Sequence, residues 1–320
     1  MPPQRPINSA SSNSSSSNSS SAAGNHINPA TPTVHVPVLL EEVLEWLQPR
    51  PGGVAVDGTL GGGGHTRALA QRVGPAGLVV AMDRDAAAVD AARDTLAGLP
   101  VKPLQGNFCD LPEVLEGLGI AAVDAILLDL GVSSDQLSDP ERGFSFSSDG
   151  PLDLRFDAMR GEPARRLINR LSAEHLADLI YYYGEERYSR RIARAIVQRR
   201  RDCPIETSAE LAELVRRCVP RSRKEQIDPA TRTFQALRIA VNDELKSLEI
   251  ALRRLPGTLH LGGRLAVISF HSLEDRRVKE AFRDDPRLKA LVRKPITPSP
   301  GEIHSNPRSR SAKLRVAERV

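Results

Sequence analysis

Several things that commonly betray a protein's function are scarce in this chain of 320 residues. It has three cysteines, Cys109, Cys203 and Cys218, none in a CxxC or CxH arrangement. That excludes a disulfide framework and a zinc site, and a reducing, cytosolic setting is expected. One Trp, four Tyr and seven Phe are too few for the repeated exposed rings on which single-stranded nucleic acid stacks. No stretch approaches the roughly 18 consecutive apolar residues of a membrane-spanning helix. There is no GxGxxG and no GxxxxGK[ST], which disfavours a dinucleotide or ATP, and no His/carboxylate cluster that would recommend metal catalysis.

What remains is an ordinary soluble composition, 40% hydrophobic with 23 glycines, which excludes disorder throughout. The formal net charge of +4 and pI of about 9.1 hide a division. Residues 1–150 carry 8 Lys and Arg against 17 Asp and Glu, a net of −9, and residues 151–320 carry 36 against 23, a net of +13. An acidic half followed by a strongly basic one points to a polyanionic partner met by the second half.

Residues 8–21 read NSASSNSSSSNSSS, and with the following Pro-containing stretch they make residues 1–33 an expected disordered tail. It has neither the arginines of a transit peptide nor the apolar core of a secretory signal. From Leu39 the spacing of Leu39, Leu40, Val43, Leu44 and Leu47 predicts a helix, stopped at Pro49. Short apolar runs at 54–56, 78–82, 101–104 and 125–128 read as buried parallel strands separated by helices over 67–73 and 86–96. That alternation predicts a doubly wound α/β sheet. It stops after Asp129. Residues 140–226 read as a basic helical insert, one long amphipathic helix is expected over 231–255, and a fifth strand over 262–270. The expected organisation is therefore a first sheet part over 34–139, the insert over 140–226, and a second sheet part with a basic tail over 227–320.

The turn Val56-Asp57-Gly58-Thr59-Leu60-Gly61-Gly62-Gly63-Gly64-His65 follows the first strand and opens a helix, where a nucleotide-like ligand lies against backbone in such sheets. Asp57, Gly61 and Gly63 fit D-x-x-x-G-x-G, the pattern of S-adenosylmethionine-dependent methyltransferases, with Thr59 where a further glycine is usual. Asp83, at the tip of the second strand, is placed to accept both hydroxyls of a ribose, and Asp85 reads as the cap of the next helix. Phe108, after the third strand, is a candidate cover for an adenine face or plain core. Asp129 ends the fourth strand at the crevice where substrate meets cofactor.

With these stand HVPVLLEEV (35–43), VDGTLGGGGHTR (56–67), ERGFSFSSDGPLDLR (141–155), YGEERYSRRIARAIV (183–197), ATRTFQALRIAVNDEL (230–245), GGRLAVISFHSLEDR (262–276) and NPRSRSAKLRVAER (306–319). On these motifs the chain closely resembles the RsmH (MraW) family from about His35 to Arg319. The resemblance implies a Rossmann-like class I methyltransferase sheet. It also implies methylation by S-adenosylmethionine of the exocyclic N4 of a cytidine in the decoding region of 16S rRNA, met within the small ribosomal subunit. It implies cofactor contacts at Gly63, Gly64, His65, Asp83, Phe108, Asp129 and Gln136, of which His65 and Gln136 are added to the residues already singled out, Gly61 among them. Asp129 is the expected catalytic residue at the cofactor–base junction, with a backbone carbonyl of the 130–132 turn accepting from the amino group. The Asp129-Leu130-Gly131-Val132 sequence keeps the acid of the [DNS]PP[YFW] motif but neither its prolines nor its aromatic. His271 is the alternative proton acceptor, or a helix cap. A homodimer is left open, and no membrane is expected.

The insert offers Arg187, Arg190, Arg191, Arg194, Arg199, Arg200 and Arg201 beside a buried stripe of Ile192, Ala193, Ile196 and Val197. These arginines, with Arg308, Arg310, Lys313, Arg315 and Arg319, are the expected phosphate contacts, set against a solvated face balanced by Glu185 and Glu186.

Overall fold

The computed structural model describes residues 37–146, 149–220 and 227–320. The expectation of a disordered tail over 1–33 lies outside them. Seven strands, β1 (Val54–Asp57), β2 (Leu78–Asp83), β3 (Val101–Gln105), β4 (Val123–Asp129), β5 (Leu259–Ser269), β6 (Leu288–Ala290) and β7 (Lys313–Arg319), form one sheet in the order β3-β2-β1-β4-β5-β7-β6. The first five are parallel and β7 runs antiparallel between β5 and β6. Helices α1 (Leu40–Leu47), α2 (Gly64–Val73), α3 (Ala86–Thr95) and α4 (Leu111–Gly117) accompany the first four strands.

β1, β2 and β4 are apolar along nearly their whole length because both faces are covered. Val56, Ile126, Leu128, Leu265 and Val267 point to one layer with Leu111, Leu115 and Phe282. Their neighbours Ala55, Ala125, Leu127, Ala266 and Ile268 point to the other, against Val43, Leu47, Leu69 and Val73. Period-two side chains thus build two cores from one run of sequence.

After β4 come α5 (Ser134–Ser138), α6 (Ala164–Arg170), α7 (Ala173–Gly184), α8 (Ser189–Asp202), α9 (Ser208–Cys218), α10 (Thr231–Asn242) and α11 (Glu244–Arg254). Ile168, Leu176, Ile180, Ile192, Ala193, Ile196, Leu211 and Val215 form a core of their own, to which α10 adds Phe234 and Leu237. After β5 come α12 (Ser272–Asp284) and α13 (Pro300–Ser305).

Two expectations are corrected. The single helix over 231–255 is two, broken where Asp243 takes φ 51°. Asn242 at the break turns a buried side chain to other work: its Nδ2 donates to the Leu154 carbonyl at 2.7 Å, and its Oδ1 accepts from the Phe156 N–H at 2.7 Å. The basic tail is largely strand β7. Leu314 and Val316 are fully buried, and the cations interleaved with them hid the alternation.

Candidate functional site

The carboxyl ends of β1, β2 and β4 and the turns that follow them open onto a cleft enclosing about 1150 Å³, counted out to solvent. Its floor is backbone. Gly58 carries no side chain where a Cβ would stand 2.5 Å from Leu128 Cδ2 and 3.0 Å from Phe108 Cβ. Gly61 has φ 48°, a conformation that favours glycine, and its N–H donates to Asp83 Oδ2 at 2.8 Å. Gly62, Gly64 and His65 complete this wall. Gly63 does not line the cleft: it caps α2 at φ 77° with its Cα toward Leu96.

Asp57 holds the turn rather than lining it. Its Oδ2 accepts from the Thr66 hydroxyl at 2.7 Å and its Oδ1 from the Thr59 N–H at 3.1 Å and the Thr59 hydroxyl at 3.3 Å. The Thr59 hydroxyl in turn accepts from the Asp129 N–H at 2.7 Å. The residue that departs from the glycine pattern therefore clamps the end of β1 to the end of β4. Sequence reading passed over this role.

Asp83 accepts from two backbone N–H groups, of Gly61 and of Asp85, the latter at 2.9 Å on Oδ1. Burial nonetheless pushes its pKa up to about 6, outweighing those two bonds. Asp85 is the cap of α3, its Oδ1 accepting from the Ala87 N–H at 3.1 Å. Asp85 Oδ2 receives Gln136 Nε2 at 2.9 Å and Arg142 Nη1 at 2.7 Å. Gln136 lies on α5, where Ser133 and Gln136 form a reciprocal cap. It lines the cleft with both ends of its amide engaged. Phe108 lines the cleft and also packs against the core.

Asp129 is held well above the usual carboxylate range, by burial first and then by neighbouring Asp57 and Glu274. Among the described residues its Oδ1 has no hydrogen-bond partner, and its Oδ2 stands 3.5 Å from His65 Nδ1. His65 Nε2 lies 3.0 Å from the Val38 carbonyl. A carbonyl only accepts, so Nε2 carries the proton.

His271 is placed elsewhere. It caps α12, accepting from the Glu274 N–H at 3.4 Å on Nδ1. Its Nε2 lies 3.2 Å from Glu274 Oε1 without hydrogen-bond alignment, and the ring is not among the cleft residues. Glu274 is. Burial alone would raise its pKa, but His271, Arg238 and the Phe270 N–H together hold it below the ordinary value. Glu244, also in the cleft, pairs with Arg238 at 2.8 Å. The only sequence cue to Glu274 is the x-x-Glu spacing of a helix cap, and Glu244 has none.

On the insert, Arg187, Arg190, Arg191 and Arg194 are exposed on one side of the helical stretch, with Ile192, Ala193 and Ile196 buried. The two nearby acids do not balance them. Glu186 is buried and accepts from the Tyr188 N–H, and Glu185 pairs with Arg276. Arg199, Arg200 and Arg201 reach Cys203 O, Ile168 O and Gln198.

A doubly wound sheet closed by an antiparallel β7, with a glycine turn and paired strand-end acids at its switch point, defines a nucleotide-ligand site of the class I methyltransferase kind. The MraW methylase family model matches residues 32–320, and the chain belongs to that family. It is 55% identical over 289 residues to "Ribosomal RNA small subunit methyltransferase H" of a Cyanothece species, covering 90% of this chain and 95% of that one. Proteins of the same name from Thermomicrobium roseum (51% over 308 residues; 90% and 94% covered) and Trichlorobacter lovleyi (49% over 307 residues; 89% and 98% covered) are also similar. Among the described residues no helix is long and apolar enough to cross a membrane, and no group of His, Cys, Asp or Glu is arranged to hold a metal ion.

Proposed function

We propose that this chain transfers a methyl group from S-adenosylmethionine to the exocyclic N4 of a specific cytidine in the decoding region of 16S rRNA, met in the small ribosomal subunit and in the cytoplasm. Family membership supports the class of reaction. The observation that carries the reading to this cleft is Asp129, which ends β4 among the cleft residues with one carboxylate oxygen buried and, among the described residues, unpartnered. Such a cleft fits the donor. Asp83 suits ribose hydroxyls, the glycine turn lets an adenosine lie against backbone, and the acids suit a cationic ligand. Gly61, Gly64, His65, Asp83, Phe108, Asp129 and Gln136 are the residues we assign to it, with Gly63 acting through the shape of the turn.

When bound, the donor supplies an electrophilic sulfonium methyl. The remaining work belongs to the chain. The N4 lone pair of cytosine is delocalised into its ring, so the amino group has to be held away from planarity, and positioning is the main contribution. Backbone carbonyls of the Leu130–Val132 turn, which lines the cleft, are assigned to accept from the amino group. Asp129, its pKa raised by burial, is assigned to accept the proton that nitrogen gives up. His271 orients Glu274 rather than reaching the cleft. The base is read in a pocket, so the target nucleotide is single-stranded or flipped out, and the arginines of α8 are assigned to its phosphates.

The test is incubation with unmodified small subunits and labelled S-adenosylmethionine, followed by mass-spectrometric mapping of the modified base. Label on one cytidine N4, lost in Asp129→Ala, is expected. Label elsewhere, or full transfer by Asp129→Ala, would refute the reading.

A further inference from the structure

The basic residues of the C-terminal sequence divide by their surroundings. Lys313 and Arg315 meet Asp275 at 3.5 and 2.7 Å, and Arg319 donates to the carbonyls of Gly257 and Leu259. These three hold the fold together. Arg308 and Arg310 are exposed, and among the described residues no carboxylate lies within ion-pair distance of either. Of all five, only Arg308 lines the cleft.

Its mounting is rigid although its guanidinium is unspent. Arg308 sits on a short 3₁₀ turn, Pro307–Ser311. The next residue, Ser309, is fully buried, and both its N–H and its hydroxyl donate to the Asn306 carbonyl, at 3.0 and 2.8 Å. The preceding α13 is tied to the entrance of α1, where Glu302 Oε1 accepts from the Leu39 N–H at 2.8 Å.

The other ionisable groups of the cleft are Asp83, Asp129, Glu244, Glu274, Arg84 and His65. Arg84 already donates to the Asn242 carbonyl at 2.6 Å, and Glu244 holds Arg238. The other arginine of the cleft is thus engaged, so a nucleotide whose base enters finds an unspent guanidinium for its phosphate only at Arg308. Arg308 stands at the cleft with no carboxylate within ion-pair distance among the described residues.

We propose that Arg308 grips the backbone phosphate of the nucleotide whose base enters the cleft, and so sets the depth and register of that base. The inference rests on the reading of the cleft as an RNA methylation site. A guanidinium matches a phosphate bidentately, which a point charge cannot do.

The test uses the full chain, unmodified small subunits and labelled S-adenosylmethionine, with Arg308→Ala, Arg308→Lys and, as a control for the loss of one arginine, Arg93→Ala on the outer face of α3. For Arg308→Ala we expect kcat/KM for subunits to fall about tenfold, chiefly through KM. The log–log dependence of subunit binding on salt should become shallower by about one. Arg308→Lys should restore the slope but only part of KM, and Arg93→Ala should change neither. Calorimetric binding of S-adenosylhomocysteine by Arg308→Ala should stay within about twofold of the unsubstituted chain. An unchanged KM and salt slope would overturn the proposal. So would a tenfold loss of S-adenosylhomocysteine binding, which would put Arg308 on the carboxylate of the donor. No transfer by the unsubstituted chain would overturn the activity itself, and this role with it.

Discussion

Asp83 carries a prediction that separates ligand binding from chemistry. Burial raises its pKa from 3.8 to about 6 in the ligand-free protein. A ribose whose hydroxyls donate to it favours the ionised form, so donor binding expels a proton wherever Asp83 is still protonated. Affinity should therefore be full above about pH 7 and fall as pH drops through 6, reaching roughly tenfold weaker at pH 5. Stability has the opposite sign. Asp83 in the folded chain binds its proton more tightly than in the unfolded chain, so its contribution favours folding below pH 3.8 and is lost as pH rises through about 6. The loss is about 3 kcal/mol at 1.36 kcal/mol per unit. Asp83→Asn removes the titration, and with it one carboxylate oxygen that accepts from backbone. It should weaken S-adenosylhomocysteine binding about a hundredfold, on the scale of hydrogen bonds to a charged group, and flatten its pH profile. The assay is isothermal titration calorimetry from pH 5 to 8 in buffers of different ionisation enthalpy. A pH-independent Kd in the unsubstituted chain, or a profile that survives in Asp83→Asn, would refute the reasoning.

Two other substitutions probe the supports of the site. Thr59→Val removes the hydroxyl that joins Asp57 to the Asp129 N–H; the stranded partners should cost about 1–3 kcal/mol of stability, read by urea unfolding, and methyl transfer should fall more than S-adenosylhomocysteine binding. Arg142→Met breaks the link from Asp85 to the carbonyls of Arg155 and Phe156, leaving Asp85 with Gln136 and Ala87; a loss of about 3 kcal/mol in urea unfolding is expected, together with faster hydrogen exchange over 151–157, and unchanged exchange there would remove the link from the account.

β1, β2, β4 and the second half of β5 were legible because parallel strands covered on both faces are written as near-continuous apolar runs. The Asp85 cap was legible because capping is a contact within three residues. β7 was not. Its burial depends on β5 lying on one side and β6 on the other, and on Asp275 meeting Arg315, contacts that span dozens of residues and leave no local mark. The break at Asp243 escaped for the same reason, since Asn242 is drawn out by Leu154 and Phe156, some 88 and 86 residues away.

What the sequence determined by itself is the chemistry available: the strand-end acids Asp83 and Asp129, the glycine turn between them, and the excess of cations in the second half. These depend on residue identity and short spacing. Only the tertiary structure decided which of those groups remain unspent. It committed Lys313, Arg315 and Arg319 to structural bonds while leaving Arg308 at the cleft. Among the described residues it left Asp129 Oδ1 buried without a partner. Whether a charged group is satisfied is fixed by its neighbours in space, and for these groups those neighbours lie dozens of residues away in sequence.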